Sequence, residues 1–100
     1  MEVRIPWFVE KMRDIDPVFY QQLKAVVELA MTPGALDAKT KYLITLALDA
    51  YKGAQEGVKV LAAQARGAGA TDMEICEALR LAYYVAGMDA VKTSLAAFQD

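Results

Sequence analysis

Gly57–Leu79 reads GVKVLAAQARGAGATDMEICEAL, and it carries the end of one helix and the start of the next. In its first part Gly57, Val58, Leu61, Ala65 and Ala68 recur at the 3.6-residue period of an amphipathic helix. Most of these residues are small, so another backbone can come close. Gly69 supplies a C-terminal stop. Thr71-Asp72-Met73-Glu74 then forms a capping box, in which the Thr and Glu side chains each satisfy an orphan backbone N–H. The helix it opens sets Ile75, Leu79, Ala82 and Ala86 at core spacing, up to a stop signal at Gly87.

The same grammar extends in both directions. Asp37 can cap a helix running to about Lys52, where KYLITLALDAYK is apolar nearly all round, as expected at the centre of a bundle. Gly53 ends it, and Ala54–Ala68 forms the next helix. Nearer the start, Ile5, Phe8 and Met12 mark a short amphipathic helix from Pro6 to about Arg13, with Trp7 beside the stripe. Asp16-Pro17 pairs an N-cap side chain with a ring that presets φ at the first helical position. Phe19, Tyr20, Leu23, Val26, Val27, Ala30 and Met31 then keep helical period until Thr32-Pro33-Gly34. A last helix, Asp89 to about Phe98, places Val91, Leu95 and Phe98 on one side. No hairpin signal, alternating run, repeat or low-complexity segment interrupts this pattern, so the class is all-α, with six helices in one domain spanning 1–100.

Composition bounds the partners. Hydrophobic residues make up 56% of the chain. The usual count replaces the five tyrosines by the six glycines, which moves the figure by one point and leaves it above the roughly 45–50% of average soluble chains. A domain of 100 residues cannot hide such a surplus alone, so a partner subunit is expected to cover it. The net charge of −2 is spread without a basic face, so neither nucleic acid nor an anionic membrane is an expected partner. No apolar run reaches the ~18 residues of a membrane span. The start, MEVRIPWFVE, is acidic rather than basic, and the reading is cytoplasmic. The single Cys76 cannot form a disulfide within the chain, which fits a reducing compartment.

Three pieces together, LDAKTKYLITLALDAYKG, GVKVLAAQARGAGATDMEICEAL and AYYVAGMDAV, give Leu36–Phe98 a resemblance to the carboxymuconolactone decarboxylase family, which includes the alkylhydroperoxidase D-like proteins. The resemblance implies a compact six-helix bundle of the alkylhydroperoxidase D type, assembled as a homotrimer or a hexamer. In the redox branch of that family, Gly53 would be followed by Cys-x-x-Cys, with a His four residues later and a Glu upstream. Those positions hold Ala54, Gly57, Leu61 and Tyr42 here. The decarboxylase branch typically keeps a His in the helix that Leu61 occupies, and this chain contains no histidine. A dithiol mechanism needs an attacking thiolate and a resolving thiol, which Ala54 and Gly57 cannot provide.

The remaining candidates lie near that gap. Tyr42, Thr45 and Asp49 share one helix face, which by the resemblance looks toward Ala54, Gly57 and Leu61. This face is either the wall of a small-molecule pocket, with Gln64 reaching in, or a solvent-facing stripe with Asp49 held by local hydrogen bonds. Small residues at 54 and 57 leave either a largely apolar hollow or two helices closed up on each other. Asp49 and Tyr42 are the candidates for proton handling if any catalysis is present. Glu56, Lys59 and Arg66 read as a solvated face, Cys76 as a small buried hydrophobe, and Tyr83 and Tyr84 as packing or subunit contact.

Two functions follow as expectations. One is an oligomeric small-molecule-binding or structural family member without redox chemistry. The other is a cofactor-independent decarboxylase, or an enzyme acting on a lactone or small organic acid, through Asp49 or Tyr42. No cofactor and no metal site is expected, and on the residue inventory no thiol peroxidase activity is expected either.

Overall fold

A computed structural model describes residues 3–100. Glu2, part of the acidic start read above, lies outside the described residues. The described chain is all helical: α1 Trp7–Ile15, α2 Pro17–Met31, α3 Ala38–Lys52, α4 Gln55–Gly67 and α5 Asp72–Ser94, followed by a 3₁₀ turn at Leu95–Phe98. Five α-helices replace the expected six because α5 continues through Gly87. That glycine keeps negative φ, and a glycine inside a helix costs only about 1 kcal/mol relative to alanine. With no proline nearby, nothing forces a stop.

Backbone contacts divide the chain into two compact units, one up to Ala38 and one from Lys39 to Asp100. In the first, Asp16 caps α2 by accepting from the Phe19 N–H at 3.1 Å, with Pro17 at the first helical position. The α1 face differs from the expected stripe: Val9 is buried while Phe8 is exposed and meets Trp7 edge to face at 5.8 Å. Ile5, Val9 and Met12 satisfy the helical period as well as Ile5, Phe8 and Met12 do, and packing selects between them. Tyr20, only 2% exposed, holds the two helices together. Its hydroxyl donates to Glu10 at 3.1 Å and accepts from Arg13 at 2.9 Å, and the Arg13 guanidinium lies 5.1 Å from the ring centroid. The Tyr20 hydroxyl, then the charge of Glu10, hold the Arg13 guanidinium above its ordinary pKa.

In the second unit Leu46, Leu61, Ala65, Ala70, Ile75 and Ala78 form the core, with Tyr42, Leu43, Val58 and Leu79 packed against it. Leu46 on α3 is fully enclosed. The capping box at α5 is complete: Thr71 Oγ1 accepts from the Glu74 N–H at 3.1 Å, and Glu74 accepts from the Thr71 N–H at 2.8 Å. Gly69, at φ +97°, makes the left-handed turn before it. Across that turn Arg66 pairs with Asp72 at 3.0 Å, both exposed, a contact worth little.

Glu74 also accepts from Lys39 Nζ at 2.8 Å, which ties the start of α3 to the start of α5. The Lys39 hydrogen bond, then the Thr71 N–H, hold the Glu74 carboxyl below the usual carboxylate range. A depressed folded-state pKa gives stability that is present above the unfolded value of about 4.3 and is lost as pH falls through the folded value. Glu74→Gln keeps the cap, since Gln serves at that position, but removes the ion pair. The variant is expected to melt below the parent at pH 7, with the gap closing once the pH drops below about 4. Melting temperatures from pH 3 to 7 measure this, and a gap that stays constant to pH 3 would contradict it.

Candidate functional site

The α3–α4 turn builds the site. Gly53, at φ +80°, occupies the left-handed region that a side-chain-bearing residue rarely adopts. Its N–H donates to the Ala50 carbonyl at 3.2 Å, and the Ala54 N–H donates to the Asp49 carbonyl at 2.8 Å. Two orphan acceptors at the end of α3 are thereby satisfied within the turn.

This geometry brings Gly57 to Asp49. A Cβ placed on Gly57 would lie 2.9 Å from Asp49 Cγ and would overlap Asp49 Oδ2. The missing side chain at 57 is therefore what admits the carboxylate against the backbone of α4. Gly57 lies in the first turn of α4, and Ala54, the residue before that helix, has no side-chain cap to offer. A carboxylate beside the first turn of a helix meets its partial positive charge, an arrangement worth roughly 0.3–1 kcal/mol at exposed sites. Asp49 is half-buried there.

The other candidates divide between this place and the core. Tyr42 is half-buried and packs against the core cluster, to which Leu61 itself belongs. Thr45 donates its hydroxyl to the Lys41 carbonyl at 2.7 Å, the back-bond by which a threonine satisfies itself inside a helix. Ala54, just before α4, and Gln64 on it are half-buried. The space beside Gly57 is filled by the Asp49 carboxylate rather than left open.

Cys76 departs from the sequence reading, because it is exposed. Ile75 takes the inward position, and one residue along a helix is a rotation of about 100°. Tyr83 and Tyr84 are also exposed. Sequence reading missed the Lys39–Glu74 pair, since partners 35 residues apart leave no local spacing signal. Among the described residues, no helix is long and apolar enough to cross a membrane.

No curated protein and no solved structure gives a significant match to the chain. Residues 17–100 match the model of the carboxymuconolactone decarboxylase family. The match takes in α2 through the 3₁₀ turn, beginning well before Leu36, where the resemblance in the sequence starts. It covers far more than half of the chain, and the protein is accordingly a member of the carboxymuconolactone decarboxylase family.

Proposed function

We propose that this family member is a single-domain, cytoplasmic homo-oligomer, a trimer or a hexamer, that binds a small organic molecule without redox chemistry. The observation that carries the reading is the Asp49 carboxylate set against Gly57 at the α3–α4 turn. In the redox branch that turn would hold a dithiol. Here a carboxylate stands against a bare glycine, and a few polar groups among small and apolar ones are what a site that orients a ligand needs. The chain's single cysteine, on α5, and its lack of histidine support the same reading.

An ionised carboxylate only accepts hydrogen bonds. Asp49 therefore favours a neutral, donor-bearing molecule such as a hydroxylactone over an organic acid, whose own carboxylate it would repel. Tyr42, Thr45, Ala54, Gly57, Leu61 and Gln64 complete the proposed neighbourhood. The half-buried Asp49 carboxylate also favours a second reading, a cofactor-independent decarboxylase or lactone enzyme in which Asp49 or Tyr42 moves a proton.

One experiment separates the two. With a panel of small hydroxylactones and oxo acids, the parent is expected to show ligand-dependent melting shifts, strongest for the lactones, with no product formed. Asp49→Asn, which can still hydrogen-bond but cannot take a proton, is expected to weaken binding by roughly 1.5–3 kcal/mol, the worth of a hydrogen bond to a charged group. Turnover by the parent that disappears in Asp49→Asn would establish the enzyme instead, and unchanged binding in Asp49→Asn would remove Asp49 from the site.

A further inference from the structure

Three carboxylates among the described residues are half-buried, Glu10, Asp49 and Glu74, and the others are exposed. Two of the three are met by donors. Glu10 accepts from Arg13 and from the Tyr20 hydroxyl, and Glu74 accepts from Lys39 and the Thr71 N–H. The Asp49 carboxylate accepts from no donor among the described residues, and none of their ion pairs includes it. The first turn of α4 gives it a favourable field but no hydrogen bond, since the Gln55 N–H goes to the Gly53 carbonyl and the Val58 N–H to that of Ala54. Lys52, three residues further along α3, is exposed and does not pair with it.

We infer that the group Asp49 takes from its ligand is an ammonium, so that the site selects a small primary amine over a neutral molecule of the same size. This rests on the ligand-binding reading above and narrows the chemical class of the ligand. A partly buried charge left without a partner is costly, and folded chains normally pair it, as this one does at Glu10 and Glu74. At Asp49 the partner has to come from outside the chain. A hydroxyl brings one donor, whereas an ammonium brings three together with the opposite charge, and the attraction between the two charges grows where water is partly excluded. The geometry also separates an ammonium from a guanidinium. A guanidinium seeks both carboxylate oxygens side by side, but Oδ2 of Asp49 is set against the backbone of Gly57. A compact ammonium needs only one oxygen.

The test titrates the full chain at neutral pH with butylammonium, butanol and butyrate, which share a carbon chain and differ in the group offered to Asp49. Binding is read by NMR at the amides of Ala54 and Gly57. Butylammonium is expected to bind about fivefold or more tightly than butanol, the gain from pairing two charges at a partly exposed site, and butyrate is expected not to bind. Raising the salt from about 20 mM to about 500 mM should weaken the amine and leave the alcohol unchanged, because only the first is a charge pair. Asp49→Asn, of the same size, should erase the preference for the amine. Equal affinity for amine and alcohol at Ala54 and Gly57 would overturn the amine assignment and leave the ligand-binding reading standing. Amine shifts as large at the exposed Glu56 and Asp89 as at Asp49 would overturn it as general ion pairing, and so would a preference that survives Asp49→Asn. No response to any of the three probes would also overturn it, while the lactone panel decides the ligand-binding reading separately. The salt dependence of the parent decides without any variant.

Discussion

Gly57→Leu is expected to lower the unfolding free energy by about 1–3 kcal/mol, the usual cost of forcing extra carbons into an occupied space. The sign is informative because local propensity points the other way. Replacing a helical glycine by leucine should gain most of 1 kcal/mol where nothing obstructs it. Here the first carbon of the new side chain meets the Asp49 carboxylate, with Cγ at 2.9 Å and the Asp49 Cβ at 3.6 Å. All three nearest atoms belong to the Asp49 side chain, so the cost is that of turning the carboxylate out of its place beside α4.

Removing the obstruction should therefore reverse the effect. In an Asp49→Ala background Gly57→Leu is expected to be neutral or stabilising, and the double-mutant cycle should show a coupling at the upper end of the roughly 0.5–3 kcal/mol seen for residues in contact. Additive effects would mean that Asp49 and Gly57 do not share this space. The same cycle bears on ligand binding, since a side chain at 57 also displaces the one polar group proposed to orient the ligand.

Legibility in the sequence followed the range of each interaction. Caps are local, so the Thr71–Glu74 box and the Asp16-Pro17 start are as the sequence spells them, and Gly53 and Gly69 adopt the positive φ that their positions between helices suggest. Gly87 shows the limit of the same reasoning. A glycine that ends a helix and a glycine that a helix passes through are the same residue, and only the continuing backbone separates them. The choice of Val9 over Phe8 depends on packing in the first unit, which lies outside the α1 pattern itself. Burial of Leu46 and exposure of Cys76 likewise depend on how helices meet in the second unit.

The candidate site was legible in part for a physical reason. Tyr42, Thr45 and Asp49 share a face by helical period, and the turn at Gly53 is short, so what Asp49 can reach on α4 is confined to its first turns. That the carboxylate itself would fill the space beside Gly57 was not legible, because a bare glycine signals a hollow and a close approach equally well. Leu61 illustrates the same ambiguity, since a leucine at core spacing in α4 serves the hydrophobic cluster whatever its neighbours do.

The second large effect concerns chemistry. Hydroperoxide reduction by a dithiol site requires one protein thiolate to attack the peroxide oxygen and a second protein thiol to resolve the resulting sulfenic acid. With Cys76 the chain's only thiol and exposed on α5, no resolving partner exists within the chain. Cys76 can react once, or link two chains, but it cannot complete a cycle by itself.

Steady-state turnover of a small organic hydroperoxide with a dithiol donor, run on the parent and on Cys76→Ala, tests the non-redox assignment most directly. The expected result is background turnover for Cys76→Ala, and for the parent no more than an equal concentration of a simple monothiol supports, since the donor itself can reduce a sulfenic acid formed at Cys76. Turnover by the parent well above that monothiol rate, and above all turnover that survives Cys76→Ala, would contradict it.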